Sequence, residues 1–187
     1  MNSHYPAIAT CLEALVANNC RFRTVYADPP WSYDNRAARG AAAKHYRTMS
    51  VEEICDQPVE SLVADEAHLH LWTTNAFLRD AFDVIDAWGF TFKSCMVWIK
   101  PQLGMGNYWR VSHEFLLLGV RGSLTFTDKT CRSWIAHPRT RHSKKPFPFR
   151  ALIERVSPGP FLELYGREEQ PRTEWTVYGD QVERRLF

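Results

Sequence analysis

Four consecutive residues, Asp28-Pro29-Pro30-Trp31, follow a short apolar run, Val25-Tyr26-Ala27. These residue types at a strand end could grip a planar base that carries an amino group. A carboxylate accepts hydrogen bonds from an exocyclic amine. Two prolines fix the backbone and remove two N–H donors, leaving carbonyls to accept. An indole offers a face for stacking. For an arbitrary acidic Pro-Pro turn, simple strand termination would be the better reading. The preceding apolar strand and the Trp favour chemistry on an adenine-type amine.

Other candidate groups lie far along the chain. Glu163-Leu164-Tyr165-Gly166-Arg167 places an acid and a glycine at a second strand end, where an acid can accept from ribose hydroxyls. From the residues alone, a turn bearing surface charge is a fair rival. The run Arg139-Thr140-Arg141-His142-Ser143-Lys144-Lys145 is the densest positive patch, and Arg36, Arg39, Lys44 and Arg47 add charge after Trp31. Such charges suit phosphate binding, although charge runs are usually solvated faces. His68 and His70 alternate on one strand face with no further metal ligands nearby, which fits a histidine pair at the core edge. Trp72, Trp88 and Trp98 read as packing residues, and Trp109 is undecided.

The elements that must position these groups alternate between strand-like and helix-like patterns, which argues for an α/β sandwich. Residues 6–18 read as a weak helix and 22–27 as a strand ending at the Asp-Pro-Pro-Trp turn. Residues 32–48 read as a loop. Ser50-Val51-Glu52-Glu53 has the capping-box pattern and starts a short helix interrupted by Pro58. Strands are expected at 67–73, 90–99, 115–120, 133–136, 161–165 and 175–178. Helices are expected from Phe77 to a Gly89 cap and over 150–156. Loops over 101–112 and 137–148 complete a set of three long irregular segments, and such loops are usually functional. In an open α/β sheet they gather at the carboxyl ends of the strands, where ligands bind.

Composition bounds the rest. The 187 residues suit one domain, 1–187, with residues 1–20 as an N-terminal extension or helix. Hydrophobic residues make up 45% and aromatics 13%, enough for a proper core. The formal net charge is +2, so nucleic-acid contact must come from local basic clusters. Five scattered cysteines contain no C-x-x-C pair, which fits a reducing, intracellular compartment and no metal. No apolar run is long enough to span a bilayer, and no secretion signal is evident.

The ordered motifs extend well beyond the first tetrapeptide. They are Asp28-Pro29-Pro30-Trp31, Tyr46-Arg47-Thr48-Met49-Ser50, Leu69-His70-Leu71-Trp72-Thr73-Thr74-Asn75 and Val97-Trp98-Ile99-Lys100. His113-Glu114-Phe115-Leu116-Leu117, His142-Ser143-Lys144-Lys145-Pro146, Glu163-Leu164-Tyr165-Gly166-Arg167 and Gly179-Asp180-Gln181 follow. From about Phe22 onward the chain resembles the DPPW-type adenine-N6 methyltransferases. That family holds the catalytic subunit of the eukaryotic messenger-RNA adenosine methyltransferase and bacterial and phage DNA adenine methyltransferases.

The resemblance implies a Rossmann-like, S-adenosylmethionine-dependent fold: a mixed sheet with helices on both faces and the circularly permuted, β-type motif order. It implies catalytic roles for Asp28, Pro29, Pro30 and Trp31. Asp28, Lys145, Glu163, Arg167, Gln170, Asp180 and Gln181 would form the cofactor pocket, with Lys145 on the cofactor carboxylate and Gln181 on the ribose. The family's His-Asn pair after the Arg is replaced here by Glu169-Gln170. Tyr33, Lys44, Tyr46, Arg139, Arg141 and Lys144 would meet the substrate, Trp31 and Tyr33 by stacking and Tyr46 by gating. A compact chain without an appended recognition module resembles the bacterial or phage DNA enzymes. DNA is therefore the expected partner, with RNA the alternative and a non-catalytic partner subunit a weaker one. Relatives dimerise through the region after Val97-Trp98-Ile99-Lys100, so a homodimer or heterodimer is expected.

Overall fold

A computed structural model describes residues 5–32, 48–104, 106, 108–139, 145–166 and 174–179. The elements run β1 (Ile8–Ala9), α1 (Leu12–Ala17), β2 (Phe22–Ala27), α2 (Val51–Cys55), β3 (Val63–Thr73), α3 (Asp80–Ala87) and β4 (Thr91–Ile99). β5 (His113–Arg121), β6 (Trp134–Ala136), α4 (Phe147–Val156), β7 (Phe161–Leu164) and β8 (Trp175–Tyr178) complete them.

Among the described residues, all eight strands join one sheet in the order β1-β8-β7-β2-β3-β5-β4-β6. β5 runs antiparallel to both of its neighbours, β3 and β4, and the other pairings are parallel. The mixed sheet follows from the connections. β4 and β5 can pair antiparallel across the 100–112 segment, whereas parallel neighbours need crossovers.

The period of two sends alternate residues to opposite faces, and each face meets its own helices. Val25 and Ala27 of β2, Leu69 and Leu71 of β3, and Leu162 and Leu164 of β7 face one core, with Leu15, Ile54, Val84 and Ile85 from α1, α2 and α3. Tyr26, Trp72, Leu116 and Phe161 face the other, with Phe149 and Ile153 of α4. Trp72 and Trp88 are fully buried and Trp98 nearly so, as packing residues should be.

The chain leaves β2 towards β3 on one side, while β7 leads to β8 and β1 on the other. β2 and β7 therefore flank the topological switch point, where an open α/β sheet leaves a crevice beyond its strand ends. Strands from the two ends of the chain meet there, as the permuted motif order implies.

Several element boundaries differ from the sequence reading. The helix expected over 6–18 is a two-residue strand followed by the six-residue α1. Its backbone is diverted because Ile8 and Ala9 add to the sheet edge beside β8. α4 begins at Phe147, before the expected 150, with Pro148 inside its first turn, where a missing N–H costs nothing. The capping box at Ser50 and Glu53 is present in both directions. Gly89 adopts φ +76° after α3, the left-handed cap that glycine tolerates.

Candidate active site

Asp28 stands directly after β2, beside the end of β7: its N–H points to the Leu164 carbonyl at 3.5 Å. The backbone that holds it is tightly tied. The Pro29 carbonyl accepts from the Trp31 N–H at 2.9 Å, and the Pro30 carbonyl accepts from the Met49 N–H at 2.9 Å. Ser32 N–H in turn donates to Met49 at 3.0 Å, so the segment before α2 clasps the turn. The proline carbonyls are thus not idle, although each oxygen keeps a second lone pair.

Trp31 is not an open stacking face. It is 7% exposed, lies parallel to Phe77 with centroids 5.2 Å apart, and donates its indole N–H to the Trp72 carbonyl at 3.3 Å. Its apolar ring joins the core on the face that carries α1, α2 and α3, so it anchors the turn that carries Asp28.

The Asp28 carboxylate meets Lys145 from the segment before α4, with Nζ 2.7 and 2.8 Å from the two oxygens. Lys145 also reaches Glu114 at 3.3 Å, and Glu114 accepts a second ammonium from Lys100. Sheet register makes the last contact: Trp98 opposes Glu114 and Ile99 opposes His113, so Lys100 and Glu114 are diagonal neighbours on one face. Both lysines rest near indoles, Lys145 5.2 Å from the Trp72 ring and Lys100 4.4 Å from that of Trp98. Burial works against the charge of Lys145, but Asp28 and Glu114 outweigh it and raise its pKa above the ordinary lysine value. Burial also opposes charge on Glu114, yet Lys145 and Lys100 hold that carboxyl below its usual range. For Lys100 burial wins, and its pKa falls despite Glu114.

Glu163, on the same sheet face as Tyr26, receives the Arg150 guanidinium of α4 at 2.5 Å. Arg150 lies over the Trp175 ring at 4.5 Å. Tyr26 accepts the Trp72 indole N–H at 2.9 Å, and burial, then Glu163, pushes its phenol strongly up. After β7 the backbone turns sharply: Tyr165 takes φ +62°, and Gly166 donates to the Tyr178 carbonyl at 2.9 Å. A Cβ on Gly179 would sit 2.1 Å from the Gly166 carbonyl, so only glycine lets the β7 and β8 ends approach this closely.

Of the candidate residues, Asp28, Pro29, Pro30, Trp31 and Lys145 come together, with Glu163 on the neighbouring strand β7. Arg139 is exposed, donates to the Val111 carbonyl at 3.5 Å, and lies near enough to Lys100 to oppose its charge. Tyr33, Lys44, Tyr46, Arg141, Lys144, Arg167, Gln170, Asp180 and Gln181 lie outside the described residues. Lys100, Glu114 and Arg150 had no role assigned from sequence. Lys100 and Glu114 stand inside two of the ordered motifs, the one signal that marked them; Arg150 carried no signal beyond a helix start.

His68 and His70 do form a buried packing pair. Ser157 bridges His68 Nδ1 and His70 Nε2, both at 2.9 Å. Among the described residues no group of three or more His, Cys, Asp or Glu is placed to hold a metal ion. No helix there is long and apolar enough to cross a membrane. All five cysteines are free thiols.

Comparison with known proteins relates the chain to a family. The MT-A70 family model matches residues 22–181. A Type II methyltransferase, M.MunI, from a Mycoplasma species is 26% identical over 169 residues, covering 79% of this chain and 72% of the relative. The N(6)-adenosine-methyltransferase MT-A70-like protein of Drosophila melanogaster is 29% identical over 87% of this chain and 27% of its own length. The human N(6)-adenosine-methyltransferase catalytic subunit METTL3 is 27% identical over 87% of this chain and 28% of its own. The chain thus spans about a quarter of these two eukaryotic relatives and most of the bacterial one. With the Asp-Pro-Pro-Trp turn at the switch point of a doubly wound sheet, the chain belongs to the MT-A70 family of methyltransferases.

Proposed function

We propose that the protein methylates the exocyclic N6 amine of adenine in DNA, with S-adenosylmethionine as donor. The observation that carries this reading is Asp28, held at the crevice end of β2 beside β7 with its side chain 26% exposed. The donor set suits the cofactor: carboxylates can face amines and ribose hydroxyls, and the Lys145 ammonium can oppose a carboxylate. When bound, S-adenosylmethionine supplies a sulfonium methyl open to direct in-line displacement.

The chain's own residues prepare the amine. Its lone pair is delocalised into the adenine ring, so it is a weak nucleophile. The Asp28 carboxylate and the second lone pair of the Pro29 carbonyl accept its two N–H groups. That draws nitrogen towards tetrahedral geometry and aims its lone pair outward. Alignment and pre-placed acceptors therefore do more than base strength. The amine becomes acidic as the new N–C bond forms, and Asp28 is placed to take the proton. Trp31 keeps the turn rigid, and Glu163, steadied by Arg150, is positioned for ribose hydroxyls. The target adenine must leave a duplex stack or arrive single-stranded.

The likeness to M.MunI over most of both chains supports DNA, and the likeness to the N(6)-adenosine-methyltransferases supports RNA as the second reading. Matched DNA and RNA oligonucleotides, incubated with labelled S-adenosylmethionine and mapped to single bases, separate the two. Methyl-adenine in DNA is expected. Transfer to RNA alone would establish the alternative, and calorimetry showing no cofactor binding would point to a non-catalytic partner. Asp28→Ala is expected to lower transfer by at least about 10³-fold with the fold retained by circular dichroism. A near-normal rate would remove Asp28 from the mechanism. Leu103, Tyr108 and Trp109, exposed at 74, 94 and 88%, follow β4 and support assembly through that segment. The free thiols support a reducing intracellular setting.

A further inference from the structure

We propose that Glu114, backed by Lys100, is a positioning residue for transfer: it holds Lys145 in the place from which Lys145 orients the Asp28 carboxylate. The inference rests on the proposed role of Asp28.

Four charges alternate in one line, Asp28, Lys145, Glu114 and Lys100, each in contact with the next. Their signs balance. Side-chain exposure is 26% at Asp28, 12% at Lys145, 17% at Glu114 and 10% at Lys100, so Asp28 is the end most open to an arriving amine. Glu114 is turned inward, with one oxygen on each lysine. It reaches Asp28 only through the Lys145 ammonium.

Lys145 contacts both Asp28 oxygens, which sets the plane of the carboxylate. A lysine is a point charge on four rotatable bonds and fixes no direction by itself. Glu114 on the far side and the Trp72 face beneath remove that freedom. Glu114 in turn is pinned by the β5 register and by Lys100, which sits at the Trp98 face. The Trp72 and Trp98 rings meet edge to face at 6.0 Å, giving the ammonium groups a common aromatic floor. Rigid strand positions thus pass their geometry to a carboxylate that lies in a turn.

Removing one charge from this buried line leaves an excess cation, so the test must separate positioning from charge balance. Glu114→Gln is compared with Glu114→Asp and with the charge-balanced double variant Lys100→Met/Glu114→Gln. Each is assayed for kcat and KM across pH, alongside titration of the Lys145 ε-carbon by NMR. Glu114→Gln is expected to lower kcat about 10²-fold with little change in the KM for oligonucleotide. The basic limb of its rate profile and the Lys145 midpoint should both move to lower pH. Glu114→Asp should recover part of the rate. The double variant should fold like wild type yet stay slow, because Lys145 still lacks its second carboxylate.

Recovery of wild-type kcat in the double variant would show that Glu114 merely neutralises Lys100, and would overturn the proposal. So would a wild-type rate profile in Glu114→Gln. An inactive wild-type protein would refute the proposed function instead. The NMR titration then decides alone: a lowered Lys145 midpoint in the double variant sustains the coupling, and an unchanged one refutes it.

Discussion

Polar side chains buried between the sheet and α4 set how the molecule responds to pH. Burial, and then the neighbouring His68, lowers the pKa of His70 to about 3, and burial also lowers that of His68. His68 Nε2 lies 3.2 Å from the Leu124 carbonyl and must donate there, leaving its Nδ1 to accept from the Ser157 hydroxyl. Ser157 then accepts from His70 Nε2; the hydrogen bond keeps His68 neutral, and burial keeps His70 neutral. A base whose folded pKa is depressed contributes full stability above its unfolded value of about 6.5, and loses it as pH falls towards the folded value. His70 alone should therefore cost about 2–3 kcal/mol of stability by pH 4.5. Thermal melts from pH 7 to 4 are expected to show this acid limb, flattened in His70→Phe. An unchanged limb in that variant would place the acid sensitivity elsewhere.

Short elements do the positioning. α2 has five residues, too few to be stable by propensity, and depends on its cap and on Ile54 in the core. Ser50 accepts from Glu53 N–H at 3.2 Å while the Glu53 carboxylate takes the Ser50 N–H at 2.8 Å. Met49, immediately before the cap, forms a parallel bridge with Trp31. The cap thus braces the segment that clasps the Asp-Pro-Pro-Trp turn. Ser50→Ala is expected to cost about 1 kcal/mol, a fall in Tm of about 2–4 °C. A variant that melts with the wild type would show that tertiary packing alone holds this segment. The capping box was legible because its signal is local: two residue types three apart. The start of α4 was less so, since Pro148 reads as a breaker until its place in the first turn is known.

At the scale of the molecule, charge is nearly balanced, so binding of a polyanion must rest on particular side chains. Arg139 is exposed and bonded to the 100–112 segment, close to the buried charge line without belonging to it. Affinity for a single-stranded oligonucleotide is expected to fall linearly on a log–log plot against salt. Arg139→Ala should reduce that slope by about 1 while cofactor binding, read by calorimetry, is unchanged. An unaltered slope would take Arg139 out of the phosphate path.

The sequence by itself determined the α/β alternation, the Asp-Pro-Pro-Trp turn after β2, the capping box, the Gly89 cap and the core role of Trp72, Trp88 and Trp98. Those features are written in local patterns or in motif order. Only the tertiary structure decided where Trp31 and Lys145 go. Trp31 turns inward because Phe77 and the Trp72 carbonyl, both distant in sequence, complete its packing and its hydrogen bond. Lys145 reaches Asp28 across 117 residues because α4, which follows it, packs on the sheet face that carries Tyr26, Trp72 and Trp98. Glu114 joins them through antiparallel register. A buried charge takes whichever partners the fold brings within reach, and no spacing along the chain encodes that choice.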